Sequence, residues 1–187
     1  CEIDAKCMTA VQLMSGKKPV VTGPAVNIYN SRTLEVLANS GLKRWVLPVE
    51  LSKETLMTMH QNKPAEVETE VFVFGRLPLA YSARCFTARS HNLPKDDCQF
   101  RCLDYADGLM LRTREDESFL VLNGIQTQSA KTQNLIRDID DFIDLEIDVL
   151  RISPQSTNIE KVSEIFDYYL QGRISSDEAD RDHSPFK

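Results

Sequence analysis

Residues 18–60 read KPVVTGPAVNIYNSRTLEVLANSGLKRWVLPVELSKETLMTMH, and this stretch decides the fold. Pro19 to Thr22 is a short β-branched run closed by Gly23-Pro24, the pattern of a buried strand feeding a loop. That loop carries Asn27, Tyr29 and Asn30. From Ser31 the pattern changes to a helical period, with Leu34, Leu37 and Ala38 on one face and Gly41 as the stop. Arg44 to Leu47 reads as a second strand, ended by Pro48. A short loop then holds Glu50, and Ser52 caps a helix whose apolar positions are Leu56, Met57 and Met59. Strand, loop and helix in regular alternation predict parallel strands joined by crossovers, an α/β architecture.

The same alternation extends in both directions. Upstream, Cys7, Ala10, Val11 and Met14 recur at helical spacing after Asp4, which predicts a helix with Cys7 packed inward and Gly16 at its end. Downstream, Glu66 to Phe74 is a β-branched strand ended by Gly75. Leu109–Arg114 and Phe119–Leu122 flank the polar turn Glu115-Asp116-Glu117-Ser118, a β-hairpin over residues 108–123. Ser129 is expected to open a helix with Leu135, Ile136, Ile139, Phe142 and Ile143 on one face. Leu145–Ile152 reads as a strand ending in Ser153-Pro154-Gln155. The capping box Thr157-x-x-Glu160 starts a last helix that buries Ile159, Val162, Phe166, Tyr169 and Leu170. Residues 173–187 are charged and poor in apolar side chains, and are expected to form a disordered tail. Strands centred on Val20, Trp45, Val71 and Val149 are too few to close a (β/α)₈ barrel. With Cys1 rather than methionine at the start, the expectation is a partial TIM-like barrel from a longer chain.

Composition narrows the function classes. The 187 residues are 42% hydrophobic and 27% charged with only 7 Gly and 8 Pro, which excludes collagenous, low-complexity and wholly disordered chains. The 22 Lys and Arg against 28 Asp and Glu give a net charge of −6, so no global field draws the chain to nucleic acid or an anionic membrane. The apolar runs are far shorter than the ~20 residues of a membrane-spanning helix. Five cysteines without a secretory signal favour a reducing compartment, hence a cytoplasmic location.

Between residues 76 and 102 Pro78 and Pro94 interrupt every period, which predicts a long functional loop. It holds Cys85, Cys98 and Cys102 in a Cys-x12-Cys-x3-Cys spacing. Soft thiolates on one flexible segment can converge on a metal, either zinc or an iron–sulfur cluster, and the count does not separate the two. The alternative is three unrelated buried thiols. Arg76, Arg84, Arg89, Lys95 and Arg101 outnumber Asp96 and Asp97 here, a local positive field that suits an anionic centre. His91 is a candidate fourth ligand. Because barrel sites lie at the C-terminal ends of strands, the candidates to face a substrate are Asn27, Tyr29, Glu50, Arg76, Arg151 and Gln155. The acidic run Asp138, Asp140, Asp141, Asp144, Glu146 and Asp148 lacks the glycine and ligand spacing of a calcium loop and reads as a solvated face.

Leu77-Pro78-Leu79-Ala80-Tyr81-Ser82-Ala83-Arg84-Cys85-Phe86-Thr87-Ala88-Arg89, with Pro94-Lys95-Asp96 and the two cysteines after it, resembles the UbiV-like branch of the collagenase-like peptidase (YhbU/YhbV-type) family. Val49-Glu50-Leu51-Ser52, residues 121–127 and Arg151-Ile152-Ser153-Pro154-Gln155 extend the likeness over nearly the whole chain. The resemblance implies a [4Fe-4S] cluster held by four cysteines, three of them Cys85, Cys98 and Cys102, with the fourth in a segment upstream of Cys1. Residues 1–172 would then be the C-terminal two-thirds of one barrel domain, with a cluster loop at 76–102 and the hairpin at 108–123. It also implies oxygen-independent hydroxylation of a ubiquinone precursor under anaerobic conditions. The partners implied are a UbiU-like paralogue in a heterodimer and a lipid-binding accessory protein. No His-Glu-x-x-His or Gly-x-Ser-x-Gly occurs, and His60, His91 and His183 pair with no nucleophile at a recognisable spacing, so peptidase activity is not expected. The alternatives are an RNA-nucleotide hydroxylase of the same family, which the net charge disfavours, and a zinc-binding structural scaffold.

Overall fold

The computed structural model describes residues 2–172; Cys1 and the expected tail at 173–187 lie outside them. The described residues divide into two units, residues 2–73 with 138–151, and residues 74–137 with 152–172. In the first, strands β1 (Ile3–Ala5), β2 (Val20–Thr22), β3 (Leu42–Val46) and the start of β4 (Glu68–Tyr81) pair in chain order, each parallel to the next. Helices α1 (Met8–Met14), α2 (Ser31–Asn39) and α3 (Lys53–Gln61) connect them. This is the β/α succession of a partial barrel, as expected from residues 18–60. Asn30 and Ser52 cap α2 and α3 by accepting the Thr33 and Thr55 N–H groups. Strand residues Val20, Trp45, Val71 and Val73 are buried, as are Leu34, Leu37, Leu56 and Met59 on the inward stripes of the helices. After α5 (Ile139–Asp144), β8 (Val149–Ile152) pairs with β4.

The other face of this parallel array carries charge. Glu70 is only 3% exposed. The Arg151 Nε donates to its Oε1, and Arg44 Nη1 lies 3.7 Å from its Oε2. Arg44 also donates from Nε to Glu68 at 2.7 Å and reaches Glu2 at 3.2 Å, while Arg151 Nη1 lies 3.6 Å from Asp4. The network ties β1, β3, β4 and β8 together through side chains as well as through the ladder. The acidic run is likewise more than a solvated face: Asp141 pairs with Lys53, and Asp148 accepts the Thr69 N–H at 2.7 Å.

In the second unit the later part of β4 pairs antiparallel with β7 (Gln126–Asn134), β7 with β6 (Ser118–Asn123), and β6 with β5 (Leu109–Arg112). The expected hairpin is therefore present. Gly108, just before β5, has φ +80°, and a Cβ there would stand 2.6 Å from Val121 Cγ1, so only glycine fits. Helix α4 (Phe86–Ser90) and helix α6 (Ile159–Leu170) complete the unit. The rings of Phe74 and Phe166 meet edge-on at 6.3 Å.

Several expectations are corrected. Ser129 lies within β7, and the helical stripe shrinks to a 3₁₀ turn at Ile136–Asp138 and to α5, with Ile143 half exposed. The β7 sequence QTQSAKTQN has no apolar alternation, so its strand character comes from ladders on both sides. Residues 76–102 are not one loop: β4 runs on to Tyr81, tolerating Pro78 at a register shift, and α4 with two 3₁₀ turns follows. Cys7 is exposed at the N-cap of α1 with an extended φ of −152°, one position before the helix that would have turned it inward. The last helix is preceded by Asn158 in the left-handed region rather than capped by Thr157, and Leu170 is half exposed.

Replacing Glu70 with Gln leaves two arginines short of a counter-charge. Because both retain some contact with water, the loss of stability is expected near 2 kcal/mol, below the ~3–5 kcal/mol of a fully buried pair; urea denaturation measures it. His60 donates a second, pH-dependent term. Burial, then the Lys63 charge, push its pKa down against the opposing pull of Asp148 and Glu146. The folded state thus prefers the neutral ring, and stability present above the ordinary pKa of about 6.5 falls as pH drops below it. A His60→Gln variant is expected to show a flatter melting-temperature profile between neutral and mildly acidic pH.

Candidate functional site

In the second unit the segment after β4 is fixed at its base. Ser82 N–H donates to the Ile125 carbonyl and Phe86 N–H to the Gly124 carbonyl, both at 2.8 Å. Thr87, 1% exposed, accepts the Gly124 N–H at 3.3 Å. Cys85 is thereby held at the N-cap of α4, where its Sγ accepts from the Ala88 N–H at 3.5 Å. Beyond α4 the chain runs through two short 3₁₀ turns. Cys98 ends the 3₁₀ turn Lys95–Asp97, and Cys102 is exposed in the turn Arg101–Asp104. Between them Gln99 and Phe100 both adopt positive φ, 51° and 50°. Two successive non-glycine residues in the left-handed region hold strain, a feature that clusters at functional segments. Phe100 and Leu103 are 72% and 81% exposed.

Cys85, Cys98 and Cys102 are all free thiols with some access to solvent, which removes the alternative of three buried cysteines. Among the described residues no three His, Cys, Asp or Glu side chains are gathered into a metal-binding group. The three thiols therefore share a segment without forming a preassembled ligand set. His91, the candidate fourth ligand, has its Nε2 hydrogen-bonded to Tyr105 at 3.0 Å, a clasp between the end of α4 and the chain after Cys102.

The six residues nominated for a substrate fall into three places. Asn27, Tyr29 and Glu50 meet in the first unit on the loops after β2 and β3: the Tyr29 hydroxyl lies 3.1 Å from Glu50 Oε2 and 3.4 Å from Asn27 Oδ1. Desolvation, and then the hydrogen bond and charge of Glu50, raise the Tyr29 pKa, so the phenol keeps its proton at neutral pH. Arg151 belongs instead to the Glu70 network. Arg76 and Gln155 line a cavity of about 370 Å³ in the second unit, together with Asp107, Asn123, Gln128, Ser153 and Ser156. Arg76 is steadied by the Ser129 and Ala130 carbonyls. Asp107 accepts the Ser156 N–H at 3.1 Å and its hydroxyl, closing the loop after β8 against the chain before β5. The cavity wall offers a guanidinium and three carboxamides, a lining suited to oriented hydrogen bonds with a small polar molecule. Gln128 carries no signal in the sequence because it falls between the expected hairpin and the helix expected from Ser129, where the structure has β7, and Asp107 carries none because nothing in its neighbours signals the distant Ser156.

The model of peptidase family U32 matches residues 4–184. Among curated proteins, the chain is 28% identical over 156 residues to tRNA hydroxylation protein P1 of Bacillus subtilis, covering 76% of this chain and 34% of that protein. It is 29% identical over 128 residues to tRNA hydroxylation protein P of Helicobacter pylori, covering 63% of this chain and 29% of that one. The chain thus spans about a third of the length of the curated relatives it matches. No solved structure matches it.

Thr87→Val tests how Cys85 is positioned. It leaves the Gly124 N–H without its acceptor, a loss of about 1–3 kcal/mol for a buried group. Faster hydrogen exchange is expected at the Gly124 and Phe86 amides, with the amides of α2 and α3 unchanged.

Proposed function

The chain belongs to peptidase family U32, and from that premise we propose that it serves an oxygen-independent hydroxylation in which Cys85, Cys98 and Cys102 hold a [4Fe-4S] cluster. The observation that carries this reading is the set of three free, solvent-reachable thiols on the segment from Ser82 to Tyr105, one anchored on α4 and two on either side of the strained Gln99-Phe100 pair. A soft, all-thiol donor set suits iron–sulfur, and the strained turn is where the chain can adjust to bring Cys98 and Cys102 onto one centre. Three cysteines leave one coordination position for a ligand outside this set. When bound, the cluster would supply one-electron chemistry. The chain's own residues do the rest: Thr87 and the Gly124 turn hold Cys85, the His91–Tyr105 clasp limits the travel of Cys102, and the cavity around Arg76, Asn123, Gln128 and Gln155 orients a substrate.

The substrate on this reading is a ubiquinone precursor, following the UbiV-like residues around Cys85. A UbiU-like paralogue would be the heterodimer partner, and a lipid-binding accessory protein would present the precursor. The presence of hydroxylation in the names of both relatives supports the reaction class, and no helix among the described residues is long and apolar enough to cross a membrane. The same names favour a second reading in which the substrate is an RNA nucleotide.

Two measurements separate these readings. After anaerobic reconstitution, iron and acid-labile sulfide are expected in the wild type and lost in Cys85→Ala, Cys98→Ala and Cys102→Ala. Full clusters in all three variants sink the ligand assignment, and stoichiometric zinc without sulfide replaces it with the scaffold. In a deletion strain grown without oxygen, ubiquinone is expected to fall while tRNA nucleosides stay unchanged. The opposite pattern establishes the RNA reading.

A further inference from the structure

Beside Cys85, and separate from the cavity around Arg76, the second unit carries a groove of about 310 Å³ lined by Arg84, Cys85, Arg89, Leu93, Pro94 and Lys95. Three of the six lining side chains are cationic and none is acidic. Neither the Arg84 nor the Arg89 guanidinium has an acceptor among the described residues. Among the described residues the Lys95 ammonium meets only a backbone carbonyl, that of Ala83, at 3.0 Å. The cations elsewhere in the fold behave differently: Arg44, Arg151, Lys53, Arg101 and Arg112 each pair with a carboxylate. Asp96 and Asp97 follow Lys95 directly in the chain, yet neither lines the groove.

Gathering three like charges around one concavity raises their mutual repulsion, and a concave wall concentrates the field they create. Such an arrangement is relieved by a counter-anion. Two unengaged guanidinium forks and an ammonium with donors to spare beyond the Ala83 carbonyl can serve several oxygens at once, the recognition chemistry of a phosphate group. The backbone that presents them is fixed: Arg89 N–H donates to the Cys85 carbonyl and Leu93 N–H to the Ala88 carbonyl, so the arginines flank a built turn rather than a frayed end. We propose that this groove binds a small phosphate-bearing anion through Arg84, Arg89 and Lys95. The anion would sit beside Cys85, and its site rests on the groove's own charges and shape, with or without a metal centre at the cysteines.

The test uses the full chain purified without iron, so that no cluster contributes, and titrates pyrophosphate calorimetrically at low ionic strength. Saturable binding is expected, weakened about tenfold by either Arg84→Gln or Arg89→Gln, the loss of one charge-assisted contact. Arg114→Gln, a charge on the hairpin turn, is expected to leave it unchanged. Arg84 and Arg89 are exposed, and unchanged melting temperatures in their variants verify that the fold survives. Absence of saturable binding overturns the proposal, as does equal weakening by Arg114→Gln, which marks diffuse screening. Binding of a single-stranded RNA oligonucleotide with the same arginine dependence, but none of pyrophosphate, also overturns it in favour of a polymer. The iron assays on the cysteine variants read a different property, so failure of the cluster leaves this result standing.

Discussion

A carboxylate buried within a parallel sheet is the constraint around which the first unit is arranged. Residues 68–74 read ETEVFVF, so the alternation of the strand sends Glu68, Glu70 and Phe72 to one face and Thr69, Val71 and Val73 to the other. The second set meets the ordinary need of a sheet packed under helices. In the first set Glu68 and Glu70 need cations, and no residue near them in the chain provides them. Arg44 arrives on β3, paired in register with Glu68, and Arg151 arrives on β8, 81 positions beyond Glu70. Meeting the charge of Glu70 therefore helps to select β8 as a neighbour of β4 despite everything inserted between them. A hydrophobic side chain at position 70 would carry no such instruction.

The legible part of the fold was the part whose signals are local. Val20-Val21-Thr22, the Asn30 and Ser52 caps, and the Leu34 and Leu56 stripes each specify an element within a few residues, and all reappear in place. The hairpin was equally plain, because its turn and both of its strands lie in one short stretch. β7 was not, since a nonapeptide without apolar alternation becomes a strand only when β4 and β6 are already beside it. The same dependence hid the later half of β4, where Pro78 reads as a breaker unless a register shift is available to absorb it.

Site residues followed the same rule. Tyr29 and Glu50 were nominated from their positions after consecutive strands, and the geometry joins them in one hydrogen bond. Arg151 was nominated for the same reason, and the geometry pairs it with Glu70 and Asp4; position at a strand end does not say whether a charged partner lies within reach. The cysteines were visible by spacing alone. Their local conformations were not: Cys85 caps α4 and accepts the Ala88 N–H, while Cys98 and Cys102 flank a pair of residues in the left-handed region.

Net charge was the least informative of the sequence measures, for a physical reason. A total of −6 sums groups that have already neutralised one another with groups that have not. Glu68, Glu70, Asp141 and Asp148 are committed to arginine, lysine or backbone partners, so they project less field than their number suggests. Arg84 and Arg89 are committed to nothing among the described residues, and so they shape the field that an approaching anion meets. With a screening length of about 8–10 Å at ordinary salt, a ligand samples the charges lining one groove rather than the sum over the chain. An acidic protein can in this way present a cationic site, and the residues that create it are those whose charges the fold leaves unspent.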